Sequence, residues 1–370
     1  MFQKLSYKII LVTVAIMLIG LLAVYSATFP KATPAFSDIA IKHLLRIITA
    51  FIILIAISKI NYRRFYDLSI YIYGTSLLLL VLVLIIGREI LGAQRWFELG
   101  FFNFQPSEFA KLGTILILSR YFCQHRAYHV QAGMLANTVA VLRELIVPLA
   151  LILMPMLLIF LQPDLGTAVC FIAIFLSILL VAETRFKYLV GCVGAGLLSL
   201  PVLWFFLKNY QKERLLVFLN PNIDPLGAGY TMIQSKIAVG SGRFFGKGWL
   251  SGTQNQLNFL PERHTDFIFS VIGEEWGLVG ALLLLALFFT LILLSLKVAF
   301  QTRDKFATYC IVGIVGLLAF QVTVNVSMTI GLCPVVGLSL PFISYGGSTL
   351  IIFAIFIGIL LNINEKRKIF

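Results

Sequence analysis

The chain has 370 residues, of which 60% are hydrophobic and only 12% are charged, and its mean hydropathy is +0.97. Soluble domains carry about 25% charged residues, so this composition excludes a soluble globular protein and indicates one integral membrane domain over 1–370. The net charge of +13 is expected from basic cytoplasmic connections and from contact with anionic headgroups. Nucleic acid is excluded as a partner because the chain has no soluble basic domain to bind it.

Apolar segments of membrane-crossing length recur along the whole chain. Since a helix crosses the hydrocarbon core with about 20 residues, these segments predict an all-α membrane protein with ten transmembrane helices. The predicted spans are 8–28, 43–60, 68–87, 107–122, 139–161, 165–182, 188–207, 267–296, 307–330 and 346–363. The first segment is long for a signal-peptide core and further spans follow it, so we interpret it as a span.

Basic residues concentrate on alternate connections between the predicted spans. The enriched side holds Lys4, Lys8, Lys59, Arg63, Arg64, Arg120, Arg126, Arg185, Lys187, Lys297, Arg303, Lys305, Lys366, Arg367 and Lys368. The positive-inside rule therefore predicts that both termini are cytoplasmic. The long outer connection between helices 7 and 8, about 208–266, is exempt from this rule. Its sequence YTMIQSKIAV, 230–239, is typical of an amphipathic helix lying in the membrane interface.

The segment LPERHTDFIFSVIGEEWG, 260–277, places charged residues where an apolar run begins. They are Glu262, Arg263, His264, Asp266, Glu274 and Glu275. Carboxylates near lipid tend to persist only where they have a function or a partner. On a helix running inward from Thr265, Asp266 would share a face with small residues, which favours the wall of a cavity. A helix-capping role explains Asp266 equally well, and we expect Glu274 and Glu275 to be structural.

A second charged segment, GAQRWFELGFFNFQPSEFAK, covers 92–111. Its Pro106 and Glu108 fit the first turn of a helix. Lys111 follows Glu108 by three residues on the same helical face, which predicts an ion pair lining a polar interior. Arg95 is an outer cation suited to an anionic headgroup or a phosphate.

Two outer turns and the long outer connection supply further candidates. In QPDLGT, 162–167, Asp164 is adequately explained as a helix cap. GLCPVVGLSLPFISYGGST, 331–349, ends where the last helix begins, and its N–H groups predict an anion-binding site. The residues concerned are Ser344, Gly346, Gly347 and Ser348. A re-entrant turn packed within the protein explains this segment equally well. The long connection adds the cations Lys236, Arg243 and Lys247.

Several chemistries are unsupported by the residue pattern. HTD has no partner serine in a nucleophile elbow, so acyl transfer is not indicated. The five cysteines are scattered, and neither CxxC nor HExxH occurs, which gives no sign of a disulfide framework or a zinc site. The remaining features are one exposed carboxylate, several cations and an amphipathic segment at the membrane interface. Together they suit a substrate with a phosphate head and a lipid tail.

These motifs, in this order, closely resemble those of the SEDS family of bacterial cell-wall polymerases. The resemblance rests on GAQRWFELG, FQPSEFAK, QPDLGT, NPNIDPLGAGYTMIQSKIAVGSGRFFGKGW, LPERHTDFIFSVIGEE and PFISYGGS, which span 92–348. The form GKGWLSGTQNQLNFLPERHTDFIF is similar to the elongation-specific branch, since division members tend to have alanine where Arg263 stands. Division members also usually carry a lysine where this chain has Val336. No catalytic role can therefore be assigned to a lysine at this position.

The resemblance implies a peptidoglycan glycosyltransferase that polymerises lipid II, an undecaprenyl diphosphate carrying a disaccharide-pentapeptide. It implies a ten-helix fold in the bacterial cytoplasmic (inner) membrane, with the site facing the periplasm. Asp266 matches the family's essential aspartate, Glu108 and Lys111 match functionally important residues, and Arg95 matches another family position. The implied partners are a class B penicillin-binding protein, which is a transpeptidase, and other membrane proteins of the elongation complex.

The implied reaction is chemically reasonable for these residues. Converting an α-linked diphosphate into a β linkage inverts the anomeric carbon, so a single displacement with one base suffices, and Asp266 is the candidate general base. Cations must stabilise the departing diphosphate; the candidates are Arg95, Lys111, Lys236, Arg243, Lys247 and Arg263. A divalent cation, Mg²⁺ or Mn²⁺, held by the diphosphate and by Asp266 or Glu262 is a further hypothesis. Two alternatives remain, a transporter that moves lipid II across the membrane and a non-catalytic scaffold for the transpeptidase.

Overall fold

The computed structural model describes residues 2–29, 38–90, 93–98, 103–131, 138–182, 207–225 and 229–366, together with Gly227 and isolated positions between 190 and 205. Its helices are α1 (Phe2–Thr28), α2 (Asp38–Lys59), α3 (Tyr62–Ile86), α4 (Pro106–Gln131), α5 (Thr138–Leu161), α6 (Leu165–Val181), α7 (Asn209–Leu219), α8 (Tyr230–Ser241), α9 (Thr253–Gln256), α10 (Ile268–Gln301), α11 (Lys305–Ile330) and α12 (Gly347–Lys366). One turn of 3₁₀ helix, Pro221–Ile223, follows α7.

Every predicted span except 188–207 coincides with one of these helices, and 188–207 lies largely outside the described residues. Among the described helices, α1, α2, α3, α10, α11 and α12 are long and apolar enough to cross a membrane. Shorter apolar helical stretches occur in α5 and α6. The chain is therefore a multi-pass membrane protein, while the number of ten spans and the side on which the termini lie stay predictions.

The expected all-α fold is confirmed for the helix bundle, but a small sheet interrupts it between α3 and α4. Three strands, β1 (Arg88–Ile90), β2 (Ala93–Glu98) and β3 (Asn103–Phe104), pair antiparallel in the order β1-β2-β3. This segment carries the GAQRWFELG motif, whose residues 93–98 form the middle strand. The sheet therefore fixes the position of Arg95 beside the start of α4.

The bundle has a buried centre and a lipid-facing periphery. In their most apolar stretches, α11 and α12 are 61% and 83% buried, whereas α2, α3 and α10 are only 22–28% buried. Because they are the more buried helices, α11 and α12 form the core against which the others pack. The outer helices can face lipid because a helix satisfies its backbone hydrogen bonds internally.

Polar side chains tie the helices together at the end of the bundle where α2 ends and α3 begins. The side-chain oxygen of Asn362 accepts from the Tyr62 backbone N–H at 2.9 Å, and its side-chain nitrogen donates to the Ser58 carbonyl at 2.7 Å. The Tyr62 hydroxyl donates to Asp304 at 2.8 Å. Many of the basic residues that the sequence assigns to the cytoplasm lie at this end, so we name it the basic end. They include Lys59, Arg63, Arg64, Arg120, Lys297, Arg303 and Lys305.

Helix α8 confirms that the amphipathic sequence in the long outer connection is helical. Its Met232, Ser235 and Ala238 are buried, and it packs against α10 and α11. The Ser235 hydroxyl lies 2.7 Å from that of Ser270 and donates to the Thr329 carbonyl at 2.6 Å. One face of α8 is thus built into the bundle.

Helix α10 is broken at Gly277, where the backbone has φ 65° and ψ −161°. The loop after α8 enters this break and supplies the missing partners: the N–H groups of Leu278 and Val279 donate to the Arg243 and Phe244 carbonyls at 2.9 and 3.1 Å. In return the Lys247 N–H donates to the Glu274 carbonyl at 3.0 Å. Within GSGRFFGKGW, Gly242 and Gly246 serve this close approach of two backbones, since a Cβ at either would overlap the backbone of α10.

Glu274 and Glu275 have the structural role that the sequence suggested. The Glu274 carboxylate accepts from the Lys247 ammonium at 2.8 Å and from the Gln254 backbone N–H at 3.0 Å. Glu275 accepts a hydrogen bond from the Ser26 hydroxyl near the end of α1. Both carboxylates therefore hold the loop that fills the break in α10.

We predict that Gly277→Ala lowers the free energy of unfolding by about 1–3 kcal/mol, because this backbone conformation is essentially restricted to glycine. A Cβ at Gly277 would also overlap the backbone nitrogen of Gly246. Thermal unfolding in detergent micelles measures the change. Gly240→Ala is the matched control, since a Cβ there meets nothing within 4 Å and alanine favours the helix. Equal losses in Tm for both variants would contradict the prediction.

Candidate active site

A pocket of about 510 Å³ lies at the end of the bundle opposite the basic end, where α6, α10 and α12 begin. Its walls come from β2, the turn before α6, the start of α4, α7, the turn before α10 and the segment 334–339. The charged residues that line it are Arg95, Glu108, Asp164, Lys208, Arg214, Glu262 and Asp266. Apolar side chains such as Trp96, Leu215 and Val336 complete the surface.

Asp266 lies in the turn that precedes α10. The helix begins at Ile268 with Phe267 at the cap position, so the prediction that Asp266 lies on or caps this helix is wrong. The Asp266 backbone carbonyl accepts from the Asn325 side-chain amide at 2.9 Å. A Cβ at Gly337 would lie 3.4 Å from the Asp266 carboxylate, so the absence of a side chain at Gly337 leaves room beside it.

The Asp266 carboxyl is more basic than an ordinary aspartate. Its pKa is raised to about 6, chiefly by burial and in addition by the negative charge of Glu262. The positive charges of Arg214 and Arg95 oppose this rise. Desolvation disfavours the charged form of a carboxyl, and neighbouring cations favour it. At neutral pH Asp266 is therefore predominantly ionised and still able to accept a proton near pH 6.

Glu108 and Lys111 form the ion pair that their spacing predicts. The Lys111 ammonium lies 2.6 Å from one Glu108 carboxylate oxygen, and both side chains are buried. The second Glu108 oxygen has no hydrogen-bond partner in the described structure, and Glu108 lines the pocket. A buried charge is tolerated only with a partner, and Lys111 supplies that partner to Glu108 at the pocket wall.

Arg95 is directed at the turn before α6. Its Nε donates to the Gln162 carbonyl at 2.9 Å, one terminal nitrogen donates to the Pro163 carbonyl, and the other lies 3.9 Å from the Asp164 carboxylate. Asp164 caps α6, as expected, by accepting from the Thr167 N–H at 3.3 Å and its hydroxyl at 2.9 Å. Arg95 lines the pocket, but it also holds this turn in place.

The three cations predicted from the long outer connection do not line the pocket. Lys236 lies over Gly331 at the end of α11. Arg243 lies in the loop that enters the break in α10, and Lys247 pairs with Glu274. Their described contacts are therefore with the scaffold.

Arg263 and His264 support the turn that carries Asp266. The Arg263 Nε donates to the Ala27 carbonyl at the end of α1, at 2.7 Å. The His264 ring lies 5.6 Å from the Tyr345 ring, and the Tyr345 N–H donates to the His264 carbonyl at 2.9 Å. Burial lowers the pKa of His264, so its imidazole is neutral at pH 7.

The SYGGST segment uses its serine side chains for structure. The Ser344 hydroxyl donates to the Thr265 carbonyl at 2.6 Å, and the Ser348 hydroxyl donates to the Asn103 carbonyl at 2.9 Å. The Gly346 N–H donates to the Ser344 carbonyl at 2.7 Å, while Gly346 lines the pocket and Gly347 begins α12. This segment therefore joins the Asp266 turn to β3, and its anion-binding role stays a prediction.

The sequence interpretation missed the contribution of α7. Lys208, Gln211 and Arg214 all line the pocket, and their spacing of three residues places them on one helical face. That spacing was visible in the sequence KNYQKERLL, 208–216, although nothing in it says which face meets a pocket.

A metal ion would have few protein ligands here. Among the described residues, no group of three or more His, Cys, Asp or Glu side chains could hold one. Asp266 and Glu262 both line the pocket, and Glu262 also accepts from the Thr265 hydroxyl at 3.0 Å. These residues fit only an ion that takes most of its ligands from phosphate oxygens and water, as Mg²⁺ often does.

Comparisons with known proteins agree with this architecture. A family model described as a cell cycle protein, covering FtsW, RodA and SpoVE, matches residues 7–369. The peptidoglycan glycosyltransferase MrdB of Escherichia coli is 43% identical over 318 residues, covering 86% of this chain and 83% of that protein. The probable peptidoglycan glycosyltransferase FtsW of Trichlorobacter lovleyi is 37% identical over 370 residues, covering 98% and 93%.

Solved structures show the same fold. The rod shape determining protein RodA of Thermus thermophilus matches with a TM-score of 0.71 and 29% identity, covering 98% of this chain and 97% of that one. A chain in a peptidoglycan synthase complex, described as coordinating polymerization and crosslinking, matches with a TM-score of 0.80 and 32% identity, covering 98% of both.

The fold and the pocket define a multi-pass membrane protein with a charged cleft at one end of its helix bundle. With the family model matching nearly its whole length, the chain belongs to the FtsW/RodA/SpoVE family, which is the SEDS family that its motifs resemble.

We predict that Lys111→Met destabilises the protein by about 3–5 kcal/mol, because it leaves the Glu108 charge buried without a partner. The double variant Glu108→Gln with Lys111→Met removes both charges and should recover most of that loss. Unfolding free energies of the two single variants and the double variant, measured in detergent, form the test. Additive losses in the double variant would show that the two side chains are not coupled.

Proposed function

We propose that this chain is a peptidoglycan glycosyltransferase that polymerises lipid II, with Asp266 as the general base. The observation that carries the proposal is an Asp266 carboxylate of raised pKa in a pocket with the cations Arg95, Lys208 and Arg214. The names of its relatives in Escherichia coli and Trichlorobacter lovleyi support the glycosyltransferase activity.

The reaction is one displacement at an anomeric carbon. The acceptor 4-hydroxyl oxygen forms the new C–O bond, its proton passes to the Asp266 carboxylate, and the bond to the diphosphate breaks. The electron pair of that bond leaves on the diphosphate oxygen, and the α linkage becomes β. Because the configuration inverts once, no covalent glycosyl-enzyme is needed.

The environment of Asp266 suits proton abstraction. General-base catalysis is most effective when the pKa of the base lies near the working pH, since the base must be ionised and still basic. Burial brings the Asp266 pKa to about 6, which fulfils both conditions at neutral pH. The nearby cations limit the rise, so the carboxylate stays charged in the resting protein.

The proposed orientation places the pocket on the periplasmic face of the cytoplasmic membrane. The pocket lies opposite the basic end, which the positive-inside rule assigns to the cytoplasm. There the sugar reacts in water while the undecaprenyl tail stays in lipid. A transporter would instead have to open the same pocket to both sides.

The proposed partner is a class B penicillin-binding protein that crosslinks the strands made here. A chain of a peptidoglycan synthase complex shares the fold at 32% identity, which supports this assignment. The elongation role is supported by the Arg263 form of the motif and by likeness to the rod shape determining protein RodA of Thermus thermophilus. Other membrane proteins of the elongation complex are further proposed partners.

A divalent cation, Mg²⁺ or Mn²⁺, is proposed to be shared by Asp266 or Glu262 and the diphosphate of the substrate. Bound there, it would neutralise the charge that develops on the departing diphosphate. The displacement described above does not require it. Polymerisation unchanged after exhaustive chelation would remove the cation from the proposal.

Asp266→Asn is expected to reduce polymerisation of lipid II by at least about 10²-fold, since a positioned base typically contributes 10²–10⁴. The measurement is polymer formation by the purified variant with its transpeptidase partner. The variant should still fold. Burial raises the Asp266 pKa above its unfolded value, so ionisation of this carboxyl at pH 7.5 opposes folding. Asparagine carries no charge and removes this penalty. A Tm at or above that of the parent, with lipid II still bound, is the control. Near-normal polymer formation would refute the base assignment.

The polymerisation rate is expected to rise with pH and to reach half its plateau near pH 6, the pKa of Asp266. Glu262→Gln should shift this midpoint to lower pH, because the Glu262 charge raises the Asp266 pKa. The measurement is the rate between pH 5 and pH 8 for both proteins, and a pH-independent rate across that range would contradict Asp266 as the base.

A further inference from the structure

Helix α7 presents one polar face to the pocket. Lys208, Gln211 and Arg214 line the cavity at intervals of three residues, and Leu215 continues the same face. Lys212 lies on α7 between them and does not line the pocket. The helix and the residue that caps it, Lys208, therefore bring two cations to the cavity.

The two arginines of the pocket differ in the groups that they contact. Arg95 directs all three of its guanidinium nitrogens at the turn 162–164. Arg214 is exposed, and one of its terminal nitrogens donates to the Val335 carbonyl at 3.3 Å. Arg95 is thus directed at the scaffold turn, whereas Arg214 lines the cavity from an exposed position and contacts its rim at Val335.

Arg214 and Asp266 meet the same short segment of backbone. Arg214 bonds to Val335, and the Asp266 carboxylate lies beside Gly337, two residues further on. Two residues of extended chain span at most about 7 Å, so the two side chains reach the segment at neighbouring points. In inverting glycosidases the two catalytic carboxyl groups stand about 6.5–9.5 Å apart, with the reacting carbon between them.

We propose that Arg214, assisted by Lys208, binds the departing diphosphate of the donor lipid, across the anomeric carbon from Asp266. This inference rests on the proposed function, because it assigns the donor side of that same pocket. A lipid-linked diphosphate is the matching ligand class, since a guanidinium can bind phosphate oxygens through two parallel hydrogen bonds.

A cation in this place acts mainly in the transition state. The diphosphate gains negative charge as its bond to the sugar breaks, so its attraction to Arg214 grows during the reaction. Removing such an interaction lowers kcat, whereas removing one that is equally strong in the ground state raises KM. Loss of one preorganised electrostatic donor typically costs about 10²–10³ in kcat.

The test compares Arg214→Gln, Arg214→Lys and Lys212→Gln in the full-length protein with its transpeptidase partner. Arg214 is exposed, so its replacement leaves the core intact. Lys212→Gln is the matched control, with the same loss of charge on the same helix but away from the pocket. The readouts are kcat and KM for lipid II, and the affinity for undecaprenyl diphosphate as a non-reacting probe.

Arg214→Gln is expected to lower kcat by about 10²-fold and to weaken binding of undecaprenyl diphosphate by about tenfold. Arg214→Lys should recover part of both losses, and Lys212→Gln should change neither by more than about twofold. A kcat for Arg214→Gln within twofold of the parent overturns the proposal. A rise in KM alone overturns the donor assignment and places Arg214 at the diphosphate of the acceptor.

The two proposals fail separately. If Asp266→Asn polymerises lipid II normally, the base assignment falls, while probe binding by Arg214→Gln still decides this inference. If Asp266→Asn is inactive and Arg214→Gln behaves as Lys212→Gln does, only the role of Arg214 is refuted.

Discussion

One side-chain amide holds the pocket together. Asn325 on α11 donates to the Asp266 carbonyl at 2.9 Å and to the Leu338 carbonyl at 2.6 Å. It thereby joins the turn that carries the candidate base to the segment 334–339 that forms the facing wall. Both carbonyls lie in irregular backbone within a bundle, where an unpaired polar group is costly, so one buried donor fixes two walls at once. The bridge also anchors the segment 334–339, which Arg214 contacts at Val335 and which the Asp266 carboxylate approaches at Gly337.

The structure separates charges that stabilise the fold from charges that line the pocket. Lys247 and Glu274 form an ion pair with each other, and Arg263 donates to a backbone carbonyl at the end of α1. None of these three lines the cavity, whereas Asp266 and Arg214 do. This division follows from the membrane: a loop that penetrates a broken helix must bring its own ionic partners. The consequence is a pocket whose electrostatics depend on few groups. Those groups are Arg95, Glu108, Asp164, Lys208, Arg214, Glu262 and Asp266.

Local signals in the sequence predicted much of this arrangement. The apolar segments predicted the ends of the corresponding described helices to within nine residues. The Glu108–Lys111 pair was predictable because a spacing of three residues sets its geometry. The cap at Asp164 was predictable for the same reason. The Lys247–Glu274 pair was not, since 27 residues separate its members and a break at Gly277 brings them together. Neither periodicity nor spacing shows that a helix will break at an internal glycine.

The break at Gly277 also separates α10 into two mechanical parts. From Ile268 to Glu275 every residue is buried. Beyond Gly277 the helix exposes Leu278, Val279 and further apolar side chains on its lipid-facing side. Helices adjust to bilayers of different thickness by tilting, and a kink lets one portion tilt without the other. We expect the lipid-facing portion of α10 to follow the thickness of the membrane while the short buried portion, and the carboxylate that precedes it, keep their place in the pocket.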